Sequence, residues 1–345
     1  MTKSEYMKHV VYILFVFLTA TVCGQSQRLP LRFRADGTFK IVQFSDLHYI
    51  HNNPHAQRAL IRIREVVRAE QPDLVVVTGD MIFGEPADQC MRDVAQCLDS
   101  LGVPFCTTFG NHDEEFGLGH DELYAILHTP NNVEPEHVAG TEYDYMLPIL
   151  GSRDDSTRAA LYCLDSHNKR HYGPFVGYAW LTKSQIRWYR TLSRSLTRQN
   201  GGRPVPSMAF FHIPLPEFET AFCKRDTWAI GARMESVCCP RYNSGMFDAM
   251  RQEGDVVGIF CGHDHNNDYA VMWKGILLAY CRYSGGNTVY NDLVGGNGAR
   301  VIVLHEGERA FETWIRLKNG TIRNPLRVPD NFAWSDPQKR PIEKD

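Results

Sequence analysis

Apolar positions between Thr38 and Phe109 alternate between two periods. Phe39 to Phe44 reads as a strand, and from Ala56 to Arg68 the residues Leu60, Ile63, Val66 and Val67 recur on one helical face. Leu74 to Val77 is an unbroken apolar run, which predicts a buried strand. A second helical pattern follows from Ala87 to Leu101, and Pro104 to Phe109 predicts a third strand. A βαβαβ run of this kind implies parallel strands joined by right-handed crossovers. Asp46, Asp80 and Asn111 each fall just past the carboxyl end of a strand, where open α/β sheets bind their ligands.

The middle of the chain is less regular. Tyr143 to Leu147 and Ala159 to Leu164 predict two strands facing the first sheet, and Lys183 to Arg198 predicts a helix. Thr182 and Gln185 have the spacing of a capping box at its start, and Gly201 with Gly202 ends it. Met208 to Phe211 and Val256 to Phe260 are short apolar runs that each lead into histidine. Hairpins are expected from Tyr269 to Tyr280, turning at Lys274 and Gly275, and from Val301 to Leu317, turning at Glu306 and Gly307. The pattern as a whole predicts a four-layer α/β/β/α sandwich over residues 36–318, with the site at one edge. Residues 213–250, rich in proline and cysteine, read as an insertion that shapes substrate access. Residues 319–345 lose periodicity and are expected to wrap the surface or fray.

Composition adds a soluble globular character: 43% apolar and 22% charged residues predict a substantial core. The net charge of −3 gives no electrostatic reason for a nucleic-acid partner. At the amino terminus, Lys3 and Lys8 precede an apolar stretch from Val10 to Val22, then Gly24 and a polar GQSQ. That stretch is short for a membrane span, so residues 1–24 read as a signal peptide for export, with no stable span. Lipid attachment at Cys23 ranks second, because Val22 is bulky for the position before a modified cysteine. Six of the ten cysteines, Cys90, Cys97, Cys106, Cys163, Cys261 and Cys281, lie in apolar periodic segments and are expected to be buried free thiols. Cys223, Cys238 and Cys239 lie in a loop-like region, where a bridge from Cys223 to one of the vicinal pair and three free thiols are both open.

Candidate chemistry sits in five motifs, each ending an apolar run. They are DLH (Asp46 to His48), GD (Gly79 and Asp80), GNHD (Gly110 to Asp113), FFH (Phe210 to His212) and GHDH (Gly262 to His265). Asp46 with His48, and His263 with His265, are two apart, so in a continuing strand each pair points to one side. Asp80 at a strand end has two oxygens to bridge two cations, and Asn111 can present an amide oxygen to a hard cation. Singly, each has a plainer explanation: a turn Asp or helix cap, an Asx-turn, a satisfied core histidine. Together, on strand ends that one sheet edge could gather, they point to a dinuclear metal site.

The series DLH, GD, GNHD, H and GHDH resembles the calcineurin-like metallophosphoesterase superfamily from about Phe39 to His265. The stretches GDMIFG, FFHIPLPEF, NSGMF and CGHDHNND are similar to its small purple-acid-phosphatase-like branch. The resemblance implies one metal held by Asp46, His48, Asp80 and His265, and a second held by Asp80, Asn111, His212 and His263. True purple acid phosphatases have DxG and GDxxY at the first two motifs; here His48 and Phe83 take the variable positions, so a colourless enzyme is expected. Iron, zinc and manganese all suit the ligands.

The expected reaction is hydrolysis of a phosphomonoester by a metal-bridging hydroxide, with ions ~3.5–4 Å apart. His112 is the expected leaving-group acid, and Asp113 its most local orienter. A phosphodiesterase on the same core is the nearest enzymatic alternative, and a noncatalytic secreted binding protein is the alternative of another class. Arg225, Arg233 and Arg241, with Asn243, Ser244 and Gly245, are candidates for anion recognition, each with solvated loop charge as its plainer reading.

Overall fold

The protein is described by a computed structural model that covers residues 30–137 and 141–332. The expected signal segment 1–24 and Cys23 lie outside the described residues. The first half runs β1 (Thr38–Phe44), α1 (Gln57–Glu70), β2 (Leu74–Thr78), α2 (Ala87–Asp99), β3 (Phe105–Thr108) and α3 (His120–Leu127). It continues through β4 (Tyr145–Leu150), β5 (Thr157–Cys163), β6 (Lys169–Tyr172), β7 (Phe175–Tyr178) and α4 (Lys183–Gln199). The second half runs β8 (Ser207–Phe210), α5 (Glu217–Cys223), β9 (Ala229–Ile230), α6 (Met246–Glu253) and β10 (Val256–Cys261). It ends with β11 (Ala270–Trp273), β12 (Ile276–Tyr280), β13 (Gly298–His305), β14 (Phe311–Leu317) and β15 (Ile322–Val328).

Two mixed sheets result, one ordered β15-β14-β13-β1-β2-β3 and the other β4-β5-β8-β10-β12-β11-β9, with β6 and β7 as a separate hairpin. Strands β1, β2 and β3 are parallel, as are β5, β8, β10 and β12. The period of two explains the layers. In β1, Val42 and Phe44 pack under α1 and α2, whereas Phe39 and Ile41 face the second sheet. Val75 and Val77 of β2 likewise face the helices while Leu74 and Val76 face Leu161, Met208, Phe260 and Leu277. On its far side the second sheet packs Tyr162, Ala209 and Ile259 against α4, α5 and α6. The four-layer α/β/β/α architecture follows, because strands covered on both faces read as continuous apolar runs.

Local signals also behave as expected. Thr182 Oγ1 accepts from Gln185 N at 3.2 Å and Thr182 N donates to Gln185 Oε1 at 2.6 Å, closing the capping box of α4. Both predicted hairpins form, as β11–β12 and β13–β14.

Two expectations need correction. Within the expected tail, residues 322–328 do not wrap the surface or fray, since β15 pairs with β14 and buries Leu326 and Val328 between the sheets, while residues 333–345 lie outside the described residues. Alternation in β15 is broken by Asn324 and Pro325, where the register with β14 shifts, so the periodicity is hidden. The 213–250 segment is partly regular: β9 adds an edge strand beside β11, and α6 is the crossover helix between β8 and β10. Of the two arrangements left open for Cys223, Cys238 and Cys239, the free thiols are the one present; all nine described cysteines are free, and the six expected to be buried are buried. Among the described residues, no helix is long and apolar enough to cross a membrane.

Candidate metal centre

Five strand ends converge at one edge of the sandwich. Parallel β1, β2 and β3 deliver Asp46 with His48, Asp80, and Asn111 from one sheet; β8 and β10 deliver His212, and His263 with His265, from the other. Close backbone approach requires glycine between them. A Cβ at Gly79 would lie 2.6 Å from His212 Nδ1, and one at Gly110 would overlap the Asp80 carboxylate.

The period-of-two argument for the DLH and GHDH pairs is overturned, because neither pair continues a strand. Asp46 and His48 have φ of 57° and 43°, and His263 has φ of 77°. Asp80 is also left-handed, at φ 49°. Each such residue costs ~1–2 kcal/mol, strain that the surrounding fold must hold. The loop is pinned as Asp46 N donates to Gly79 O at 3.1 Å and His48 N to Asp80 O at 3.0 Å.

The side chains form two buried groups sharing Asp80: Asp46, His48, Asp80 and His265, then Asp80, His212 and His263. Potential ligand atoms within each lie within 4.8 Å of one another. Asp80 Oδ2 is 3.5 Å from His48 Nε2 and 3.2 Å from His212 Nε2, so one carboxylate oxygen faces both groups. His48 Nε2 and His265 Nε2 face each other at 3.0 Å, and His212 Nε2 faces His263 Nδ1 at 3.2 Å. Facing ring nitrogens at these distances, with carboxylates beside them, suit lone pairs converging on a cation.

Outer hydrogen bonds fix the rings. His212 Nδ1 donates to Thr78 O at 2.8 Å and His265 Nδ1 to Tyr290 O at 3.2 Å, which turns each Nε2 lone pair inward. Asn111 Oδ1 is buried without a hydrogen-bond partner among the described residues. That orphaned amide oxygen fits a donor set completed by a cation.

Burial holds His48 and His263 well below the usual imidazole range and His265 at about 4, so all three are neutral, as ligation requires. For His212 burial acts against protonation, but Asp80 outweighs it and lifts the ring to about 10 in the absence of cations. Burial likewise opposes ionisation of Asp80, yet His212 and His48 hold it well below the carboxylate norm. Asp46 is pushed up to about 7, chiefly by burial.

His112 lies beside the first group, its ring centroid 5.5 Å from that of His48. Asp113 does not orient it. The Asp113 carboxylate accepts from the backbone N–H of Met81, Ile82, Gly110 and Asp80, stapling the β2 and β3 loops together. His112 Nδ1 instead meets Glu115 Oε2 at 2.6 Å. Sequence reading missed Glu115, whose one signal is its place three residues after His112. It also missed Tyr178 and Tyr290, which pack on His263 and His265 with centroids 4.5 Å apart.

Phe83 stands edge-on to His48 at 5.1 Å and to His112 at 5.0 Å, an apolar wall with no donor atom. Of the candidate arginines, Arg233 pairs with Glu219 at 2.5 Å and lies over Phe222, whereas Arg225 and Arg241 are exposed. Asn243 donates to Glu217 Oε1 at 2.6 Å and caps Gly245 N at 2.9 Å, a loop-shaping role.

Residues 39–267 match the family described as calcineurin-like phosphoesterase. The chain belongs to that family. It is 32% identical to a protein named probable inactive purple acid phosphatase 29 from Arabidopsis thaliana, over 89% of each chain. It is 30% identical to phosphatase DCR2 of Saccharomyces cerevisiae, over 90% of this chain and 58% of that protein. Among solved structures, a dimetal phosphatase from Danio rerio aligns over 84% of this chain and 98% of its own, with a TM-score of 0.57 at 14% identity, a likeness of fold. In this calcineurin-like phosphoesterase the buried Asp and His clusters suit a dinuclear metal site.

Proposed function

We propose that this phosphoesterase is catalytically competent, hydrolyses phosphomonoesters, and is exported through its amino-terminal segment. The carrying observation is the donor set: all seven residues, Asp46, His48, Asp80, Asn111, His212, His263 and His265, lie at one edge, and Asp80 faces both groups. Two bound cations of iron, zinc or manganese would supply Lewis acidity for the phosphate oxygens and a lowered pKa for water.

The chain's own residues supply the rest. Thr78 and Tyr290 carbonyls keep two ligand imidazoles aligned, Asp113 holds the Asp80 loop, and Phe83 excludes water beside His48. His112, not among the ligands and tied at Nδ1, can donate a proton from Nε2 to the departing alcohol. The export reading is supported by Lys3, Lys8 and the Val10 to Val22 stretch.

The word inactive in the plant relatives' names favours a second reading, a noncatalytic secreted binding protein on the same centre. Metal analysis with monoester and diester assays on the purified mature chain separates the readings. Monoester turnover with two metals per chain is expected. Preferential diester turnover would favour a phosphodiesterase, and no turnover with two metals bound would favour the binding protein.

A further inference from the structure

The β6–β7 hairpin meets the site at two places. Its register sets Lys169 opposite Tyr178 and His171 opposite Val176, so these four side chains share one face. Tyr178 packs edge-on against His263, and Lys169 Nζ donates to Glu115 Oε1 at 3.2 Å. The other oxygen of that carboxylate meets His112 Nδ1 at 2.6 Å. The hairpin's opposite face is fastened: the Arg170 guanidinium lies 4.7 Å from the Trp180 ring, Tyr172 packs on Trp180, and Trp180 packs on Tyr242 of the 213–250 segment.

We propose that Glu115 is a positioning residue for His112 and that Lys169 fixes Glu115, so that the hairpin beside the centre holds the acid's ring. The inference rests on the reading of His112 as leaving-group acid. Phe83 on the neighbouring side of the ring offers no hydrogen bond, which leaves Glu115 as the acceptor at Nδ1. A carboxylate accepting at Nδ1 fixes the ring's rotamer and tautomer and directs Nε2 to the ester. In the reaction, water oxygen bonds to phosphorus and the ester P–O bond breaks with its electron pair on the alcohol oxygen. That oxygen takes the Nε2 proton, and the proton released by the attacking water restores the imidazolium. Glu115 exchanges no proton in the net step. It keeps the ring in the rotamer that makes the transfer.

Kinetics on p-nitrophenyl phosphate, whose leaving group needs little protonation, and on phenyl phosphate, whose leaving group needs more, read this role. Glu115→Gln should raise the ratio of the two kcat values ~10-fold or more, with KM and bound metal unchanged. Lys169→Met should move the ratio the same way by less, and Glu115→Asp should restore part of it. An unchanged ratio, or an equal fall on both substrates, overturns the proposal. If the unaltered protein with both metals bound turns over neither ester, the functional reading fails instead, and the positioning is judged by proton NMR. A low-field Nδ1–H resonance assigned through His112→Ala should vanish in Glu115→Gln; its persistence there overturns the proposal.

Discussion

Asp113→Ala measures how much one buried carboxylate holds the site together. Oδ1 accepts from Met81 N at 2.7 Å and Ile82 N at 3.2 Å, while Oδ2 accepts from Gly110 N at 2.8 Å and Asp80 N at 3.1 Å. A buried donor left unpaired costs ~1–3 kcal/mol, so four set a ceiling of ~4–12 kcal/mol. Two effects lower it. Burial, with the nearby Asp80 charge, pushes the Asp113 carboxyl up to about 7, so the ionised acceptor is itself held at a cost. Water filling the vacated space would also satisfy some of the freed donors. A net loss of ~3–5 kcal/mol is expected. Urea unfolding of the metal-free variant against the unaltered protein gives the number, and competition with a zinc chelator gives the affinity. Affinity should fall too, because the displaced backbone carries Asp80. A loss below ~1 kcal/mol with affinity intact would refute the stapling argument. A selective loss of turnover on poor leaving groups, with stability intact, would return Asp113 to the role of acid orienter.

Three further outcomes are expected. His112→Ala should lower kcat on phenyl phosphate by ~10²–10⁴ while two metals stay bound, and unchanged turnover would remove His112 from the chemistry. The iron-loaded protein should be colourless, because Phe83 puts no phenolate beside His48; a visible tyrosinate charge-transfer band would contradict that. Burial pushes the Asp144 carboxyl up to about 7, against ~3.9 in an unfolded chain. Between those values the folded state keeps a proton that the unfolded state has lost, so stability falls as pH rises, by up to ~1.4 kcal/mol per pH unit. Asp144→Asn, whose amide oxygen can still accept from Gln185 Nε2 and Asp165 N, should flatten the denaturation midpoint across that window. An equally steep profile in the variant would show that Asp144 is not the group responsible.

Particular elements show what could be read in advance. The unbroken Leu74 to Val77 run and the alternation of Phe39 to Phe44 identified strands because burial on both faces, or on one, leaves its own period. The Thr182 and Gln185 pair marked a helix start because a cap needs residues at fixed local spacing. In contrast, β6 and β7 read KRHY and FVGY, with most side chains exposed, so no buried face imposed a pattern on them. The β15 strand was hidden by Pro325 and a shifted register.

By itself the sequence determined the donor types, their order and their places at strand ends, because those follow from local hydrophobic periods and fixed spacings. It also determined the absence of a phenol at Phe83. The tertiary structure decided which atoms face one another: that Asp80 Oδ2 lies between two imidazole groups, that Asp113 serves the backbone, and that Glu115 rather than Asp113 holds His112. For the ligand side chains, the left-handed backbone at Asp46, His48, Asp80 and His263 is the physical reason. Those residues leave the strand geometry from which a period of two predicts direction, so their side-chain orientations are set by contacts between the two sheets.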